Sequence, residues 1–222
     1  MTPRRPPGGS TRRTLSSRRW LERQARDPFV KDARAKGYRS RAAFKLIQLD
    51  DRFRLLRPGA RAVDLGAAPG GWAQVAARRV GAAGRVVAVD IQAVAPIAGV
   101  VVVHADARDA ATLERIRAVL EGPADVVLSD MAAAATGERA TDHLRVIALA
   151  EAAFDIARRL LAPGGAFVCK VLQGGATGDL RALIRRDFGT VRHVKPAASR
   201  AESHEVYLVA RGFRGPAAAD AG

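Results

Sequence analysis

Cysteine, histidine, lysine and aromatic residues are all scarce in this chain of 222 residues, and each shortage excludes something. Cys169 is the only cysteine, so there is no intramolecular disulfide and no multi-cysteine metal site, and no bound metal is expected. No apolar run approaches the roughly 20 residues of a membrane-spanning helix. The Arg-rich N-terminus has no apolar segment behind it, which is not the pattern of a secretory signal. A soluble cytoplasmic protein with no membrane partner is therefore expected. Aromatics make up only 5% of the chain, so Val, Ala, Leu and Ile must build the core.

What is abundant is arginine. Lys and Arg number 37 against 22 acids, a net charge of +15, which favours a polyanionic partner held through phosphate contacts. Only five of the 37 are lysine: Lys31, Lys36, Lys45, Lys170 and Lys195. Where positive charge alone is needed, this sequence uses Arg. A Lys marks a place that needs a compact amine able to lose its proton.

Residues 1–27 hold eight Arg among Pro, Gly and Ser without apolar periodicity, and read as a disordered basic arm. Residues 214–222 read as a frayed tail, leaving one domain over 28–213. Within it, seven Val-rich runs lie at 61–66, 85–90, 100–106, 124–130, 165–172, 190–195 and 204–211. The first five are almost continuously apolar, as strands covered on both faces are. Helical spacing appears at about 40–56, 70–80, 109–121, 142–161 and 177–187. Alternating strands and helices predict a doubly wound, mostly parallel α/β sheet. The last two strands have no full helix between them, which fits an antiparallel final strand.

Strand 61–66 runs into Gly66-Ala67-Ala68-Pro69-Gly70-Gly71-Trp72. Glycines at such a turn let backbone approach a ligand, and the following helix N-terminus favours an anionic group. The strict GxGxxG fingerprint is absent, which suits a nucleoside cofactor better than a dinucleotide. Asp64, Asp90, Asp106 and Asp130 recur at successive strand ends, around the crevice where open α/β sheets bind ligands. Asp90 and Asp106 are read as ligand contacts, whereas Asp109 is read as a helix cap. Lys170 sits inside an apolar strand, where a lone charge is costly unless paired or facing a cleft. Glu205 opens the last strand, and Lys45 lies on a helix among apolar residues. Brought together at one sheet edge, two amines and two carboxylates would neutralise each other. Taken singly, Lys45 also reads as a snorkelling surface amine and Glu205 as a solvated strand-end charge.

The segments Tyr38-Arg39-Ser40-Arg41-Ala42-Ala43-Phe44-Lys45-Leu46, Val63 to Trp72, Leu128-Ser129-Asp130-Met131 and Phe167-Val168-Cys169-Lys170-Val171 resemble the FtsJ family. So do Lys195-Pro196, Ser199-Arg200 and Ser203-His204-Glu205-Val206-Tyr207, in order and over about 28–211. The resemblance implies a Rossmann-like class I methyltransferase domain that uses S-adenosylmethionine to methylate an RNA ribose 2′-hydroxyl, releasing S-adenosylhomocysteine. The set is most similar to bacterial members acting on a uridine of large-subunit (23S) ribosomal RNA. Choosing one nucleotide is expected to need a folded RNA or the assembled large subunit, and a monomer is expected because no long apolar surface stripe is apparent. It implies Lys45, Asp130, Lys170 and Glu205 as the catalytic tetrad, with Lys170 as candidate base. It implies Gly70, Trp72, Asp90, Asp106 and Asp130 as cofactor contacts. Trp72 would otherwise be read as core.

Arg39, Arg41, Lys195, Arg200 and the arm are expected to hold the RNA. One departure stands out: Ala133 and Ala134 follow Ser129-Asp130-Met131-Ala132, where the family usually has Pro and Asn. That substitution removes a rigid turn and a polar group beside the reacting ribose. A tRNA ribose methyltransferase remains an alternative, as does a non-catalytic RNA-binding assembly factor on the same fold. A nicotinamide dehydrogenase fits least, for want of the glycine fingerprint and of a suitably placed His among His104, His143, His193 and His204.

Overall fold

The protein is described here by a computed structural model covering residues 27–133, 136–174 and 177–215. The expected basic arm and tail lie outside those residues except for Asp27, Arg214 and Gly215, and so does Ala134.

Seven strands form one sheet in the order β3-β2-β1-β4-β5-β7-β6. They are β1 (Arg61–Leu65), β2 (Arg85–Asp90), β3 (Val101–His104), β4 (Ala124–Ser129), β5 (Leu161–Leu172), β6 (Phe188–Val194) and β7 (Glu205–Phe213). β1 to β5 are parallel, while β7 runs antiparallel to both β5 and β6. The switch in strand order beside β1 opens the crevice at the carboxyl edge.

The helices are α1 (Pro28–Ala35), α2 (Ala42–Phe53), α3 (Gly71–Val80), α4 (Ala110–Leu120), α5 (Arg139–Leu160) and α6 (Thr177–Asp187). α1 is not visible in the apolar pattern, because it buries only Ala33 fully. It is recognisable by its start: Asp27 accepts the Phe29 N–H and Pro28 opens the first turn. Asp109, read as a cap, precedes α4, but its side chain makes no capping hydrogen bond.

Side chains alternate across each strand and divide the core in two. Val63, Leu65, Val127, Phe167, Cys169 and Leu208 face one way, in a cluster with Ile116, Phe154 and Ile184 of α4, α5 and α6. Ala62, Leu128, Val168, Tyr207 and Val209 face the other way, against Leu46, Leu49, Trp72 and Val75 of α2 and α3. The same alternation carries Lys170, two residues beyond Val168, to the α2 side of the sheet.

Candidate active site

Register brings the charged residues together. Lys170 of β5 pairs with Tyr207 of β7, and Leu172 with Glu205, so the antiparallel strand begins at the edge where the parallel strands end. Ser129 pairs with Cys169, which sets Asp130 just past the end of β4 beside Lys170. Lys45 arrives from α2 above.

The four side chains form one network. Lys170 Nζ lies 3.2 Å from Asp130 Oδ1 and 4.0 Å from Glu205 Oε1. It also donates to the Asp130 carbonyl at 2.9 Å. Lys45 Nζ donates to Glu205 Oε2 at 3.0 Å. Both lysines are buried. Two amines facing two carboxylates hold the local charge near neutral, which offsets much of the desolvation penalty. Burial pushes the Glu205 carboxyl up, but Lys45 and Lys170 outweigh it and leave the group below its ordinary range.

Two members of this neighbourhood stand apart from the expected site residues: Tyr207, which has no assigned role in the sequence reading, and Asp64, which that reading groups with the crevice acids. Tyr207 donates its hydroxyl to Asp130 Oδ1 at 2.8 Å, and burial together with Asp130 and Glu205 holds its phenol protonated, well above its usual range. It is one of only two tyrosines and lies two strand positions after Glu205, hence on the same face. Asp64 is wholly enclosed in β1, with neither carboxylate oxygen in a normal hydrogen bond. Burial and then Asp130 raise its pKa to about 8; the Ala73 N–H lowers it only in part, and Asp90 adds to the rise. It therefore differs from the other three strand acids.

Those three line a cavity of about 310 Å³ at the carboxyl edge, together with Gly66, Ala68, Ile91, Met131 and Ile156 among others. Asp90 Oδ2 accepts the Ala68 N–H at 2.8 Å and Oδ1 accepts the Gln92 N–H at 2.7 Å. That fixes the carboxylate while leaving lone pairs for ribose hydroxyls. Asp106 is gripped by Arg108, whose Nη2 lies 2.6 Å from Oδ2, and those hydrogen bonds hold its carboxyl below its ordinary value. A lining that combines carboxylates with the apolar Val89, Ile91, Leu149 and Ile156 suits a nucleoside, which offers both hydroxyls and an apolar base. The donor set therefore fits S-adenosylmethionine.

Gly66 takes φ 74°, and a Cβ there would meet Met131 Cγ at 2.4 Å, so only glycine lets the two loops touch. Gly70 takes φ 109° at the start of α3 but lies off the cavity wall. Trp72 is likewise off the wall. It is buried, its Nε1 donates to the Ala42 carbonyl at 2.8 Å, and its ring packs 5.5 Å from that of Tyr207. It thus sits in the core behind the charged cluster.

The arginines expected to face RNA have protein partners. Arg39 donates to the carbonyls of Pro69, Ala95 and Pro96. Arg41 lies 2.9 Å from Asp27, which also approaches Arg200 at 3.5 Å. Lys195 donates to the carbonyls of Ala201 and Ser203. Past the Ala133-Ala134 departure, Asp142 gathers the Thr136 and Gly137 N–H groups and the Thr136 hydroxyl.

The model of the FtsJ-like methyltransferase family matches residues 38–213. The chain is 55% identical to the ribosomal RNA large subunit methyltransferase E of Azorhizobium caulinodans, over 92% of this chain and 87% of that one. It is 56% identical to the protein of the same name from Bradyrhizobium diazoefficiens, over 94% of this chain and 92% of that one. Among solved structures, a Plasmodium falciparum protein assigned as a ribosomal RNA methyltransferase superposes with a TM-score of 0.72 at 27% identity, covering 80% of this chain and all (100%) of that chain.

Proposed function

The chain belongs to the FtsJ-like methyltransferase family, and on that premise we propose that it transfers a methyl group from S-adenosylmethionine to the 2′-hydroxyl of a uridine in 23S ribosomal RNA. The observation that carries this reading is Lys170 seated between Asp130 and Glu205, with Asp130 also on the wall of the cavity at the carboxyl edge. When bound, S-adenosylmethionine supplies a methyl on a cationic sulfur and departs as S-adenosylhomocysteine.

The protein's own groups do the rest. Asp90 and Asp106 hold the nucleoside, and Asp130 stands on the cavity wall while contacting Lys170, linking the two substrates. Lys170 orients the ribose hydroxyl and takes its proton as the oxygen–methyl bond forms. Lys45 holds Glu205 in place. Alignment can lower such a barrier by roughly 7–11 kcal/mol at best, and a positioned base adds about 10²–10⁴-fold.

The net charge of +15 suits a phosphate-rich substrate. Few aromatics are available for base stacking, so backbone and shape recognition dominate. The reading is of a monomeric cytoplasmic protein whose target uridine is chosen within the large subunit. The relatives' names favour ribosomal RNA over tRNA.

The test is tritiated methyl transfer to large subunits lacking the modification, with free rRNA and tRNA alongside, comparing wild type with Lys170→Ala and Lys170→Arg. Label at a ribose of the large-subunit RNA, lost in both variants, is expected. Cofactor binding without label on any RNA would replace this reading with that of a non-catalytic assembly factor.

A further inference from the structure

We propose that Arg39 is a positioning residue of the cofactor site, its guanidinium clamping the loop after β1 to the loop after β2. This rests on reading the cavity as the S-adenosylmethionine site. Arg39 Nη1 donates to Pro69 O at 3.2 Å and to Ala95 O at 2.7 Å, and Nη2 donates to Pro96 O at 2.6 Å. Pro69 belongs to the loop that puts Gly66 and Ala68 on the cavity wall, and the other two carbonyls belong to the loop that follows Asp90, Ile91 and Gln92. Both loops contribute to the wall of one binding site, and no strand pairing joins them beyond the ends of β1 and β2.

The clamp is anchored at its own backbone. The Arg39 N–H donates to Gln74 Oε1 at 2.8 Å, and Gln74 Nε2 returns to the Gly37 carbonyl at 3.1 Å. The junction is also close-packed, since a Cβ on Gly70 would lie 2.6 Å from Ile97 Cδ1 and 3.1 Å from Arg39 Nη1. Six residues further on comes Lys45, and between them the Ala42 carbonyl takes the Trp72 indole N–H. One short segment thus ties the cofactor loops to the helix carrying a catalytic lysine.

Three carbonyls on two loops need donors spread over a rigid plane. Guanidinium provides them, whereas an ammonium offers three protons from a single point. A guanidinium committed in this way is not the phosphate ligand that its charge invites one to expect.

The test is calorimetric binding of S-adenosylmethionine and S-adenosylhomocysteine without RNA, for wild type, Arg39→Ala and Arg39→Lys. Thermal melts report folding, and Arg39→Lys, which keeps charge and length, carries the comparison should the alanine variant not fold. Both variants are expected to bind the cofactor about tenfold more weakly or worse, as for lost hydrogen bonds to a charged group. KM for S-adenosylmethionine should rise while kcat changes little, and the salt dependence of RNA binding should match wild type. Unchanged cofactor affinity would overturn the clamp, as would rescue by lysine or a salt slope reduced by about one, the mark of a lost phosphate contact. Failure of wild type itself to bind S-adenosylmethionine would instead remove the cofactor reading on which the clamp rests.

Discussion

Tyr207 and Lys170 approach the same oxygen: Asp130 Oδ1 accepts the Tyr207 hydroxyl at 2.8 Å and lies 3.2 Å from Lys170 Nζ. The two side chains are register partners on adjacent antiparallel strands, so the sheet itself aims both at one carboxylate. Asp130 is therefore held from two sides, and its remaining freedom points to the cavity.

Replacing Tyr207 by Phe removes one of those holds without emptying the core. Stability should fall by about 1 kcal/mol, the usual net worth of such a hydrogen bond. kcat should fall about tenfold, more than cofactor affinity does, because the loosened carboxylate both lines the cavity and contacts Lys170. Melts and steady-state kinetics on the single variant decide this; wild-type kcat would show that Lys170 alone orients Asp130.

Most of this arrangement was legible in the sequence because strands announce their faces. Lys170 interrupts an apolar run, and the acids at 90, 106 and 130 fall at strand ends, so alternation and topology gather them at one edge. The fate of the arginines was not legible. Charge says that Arg39 and Arg41 suit phosphate, but whether a guanidinium reaches solvent depends on which loop carbonyls pass nearby, and that is set by contacts between residues far apart in the chain. Asp64 was misplaced for a related reason. Asp64 is level with Ala88 and Leu128, so two residues of register separate it, sealed beneath α3, from Asp90 and Asp130 on the cavity wall.

Glu205 gives the cluster an acid limit. Its folded pKa lies below the ordinary 4.5, so its pairing with Lys45 and Lys170 contributes fully above about pH 4.5 and is lost as pH falls through the folded value. Glu205→Gln should accordingly melt below wild type at pH 7, with the gap closing below about pH 4.5. A gap independent of pH would mean that the carboxylate's charge is not what stabilises the pair.

Gly66→Ala should damage the site rather than the whole fold. The new methyl would meet Met131 Cγ at 2.4 Å and the Met131 Cα at 3.0 Å, at a φ of 74° that costs a further 1–2 kcal/mol or so. Since Met131 follows Asp130, relief of the clash moves the loop that carries Asp130. Weaker S-adenosylhomocysteine binding and at least tenfold lower kcat are expected, with a modest drop in melting temperature. Full activity would show that the loop after β4 yields freely.

Asp64 reverses the usual behaviour of a carboxylate. Its folded pKa is raised from 3.8 to about 8, so between those values the folded protein keeps a proton that the unfolded chain has lost. Stability must therefore decline as pH rises through that window, by at most about 1.4 kcal/mol for each pH unit. Asn cannot ionise, and Asp64→Asn should gain on wild type steadily from pH 4 to pH 8, by a few kcal/mol in all, before levelling off. Urea unfolding of both proteins across that range measures the difference directly. Parallel curves would mean that Asp64 is already ionised when folded, so that Asp130 and Asp90 bear a third negative charge beside them and the Ala73 N–H holds it more firmly than its geometry indicates.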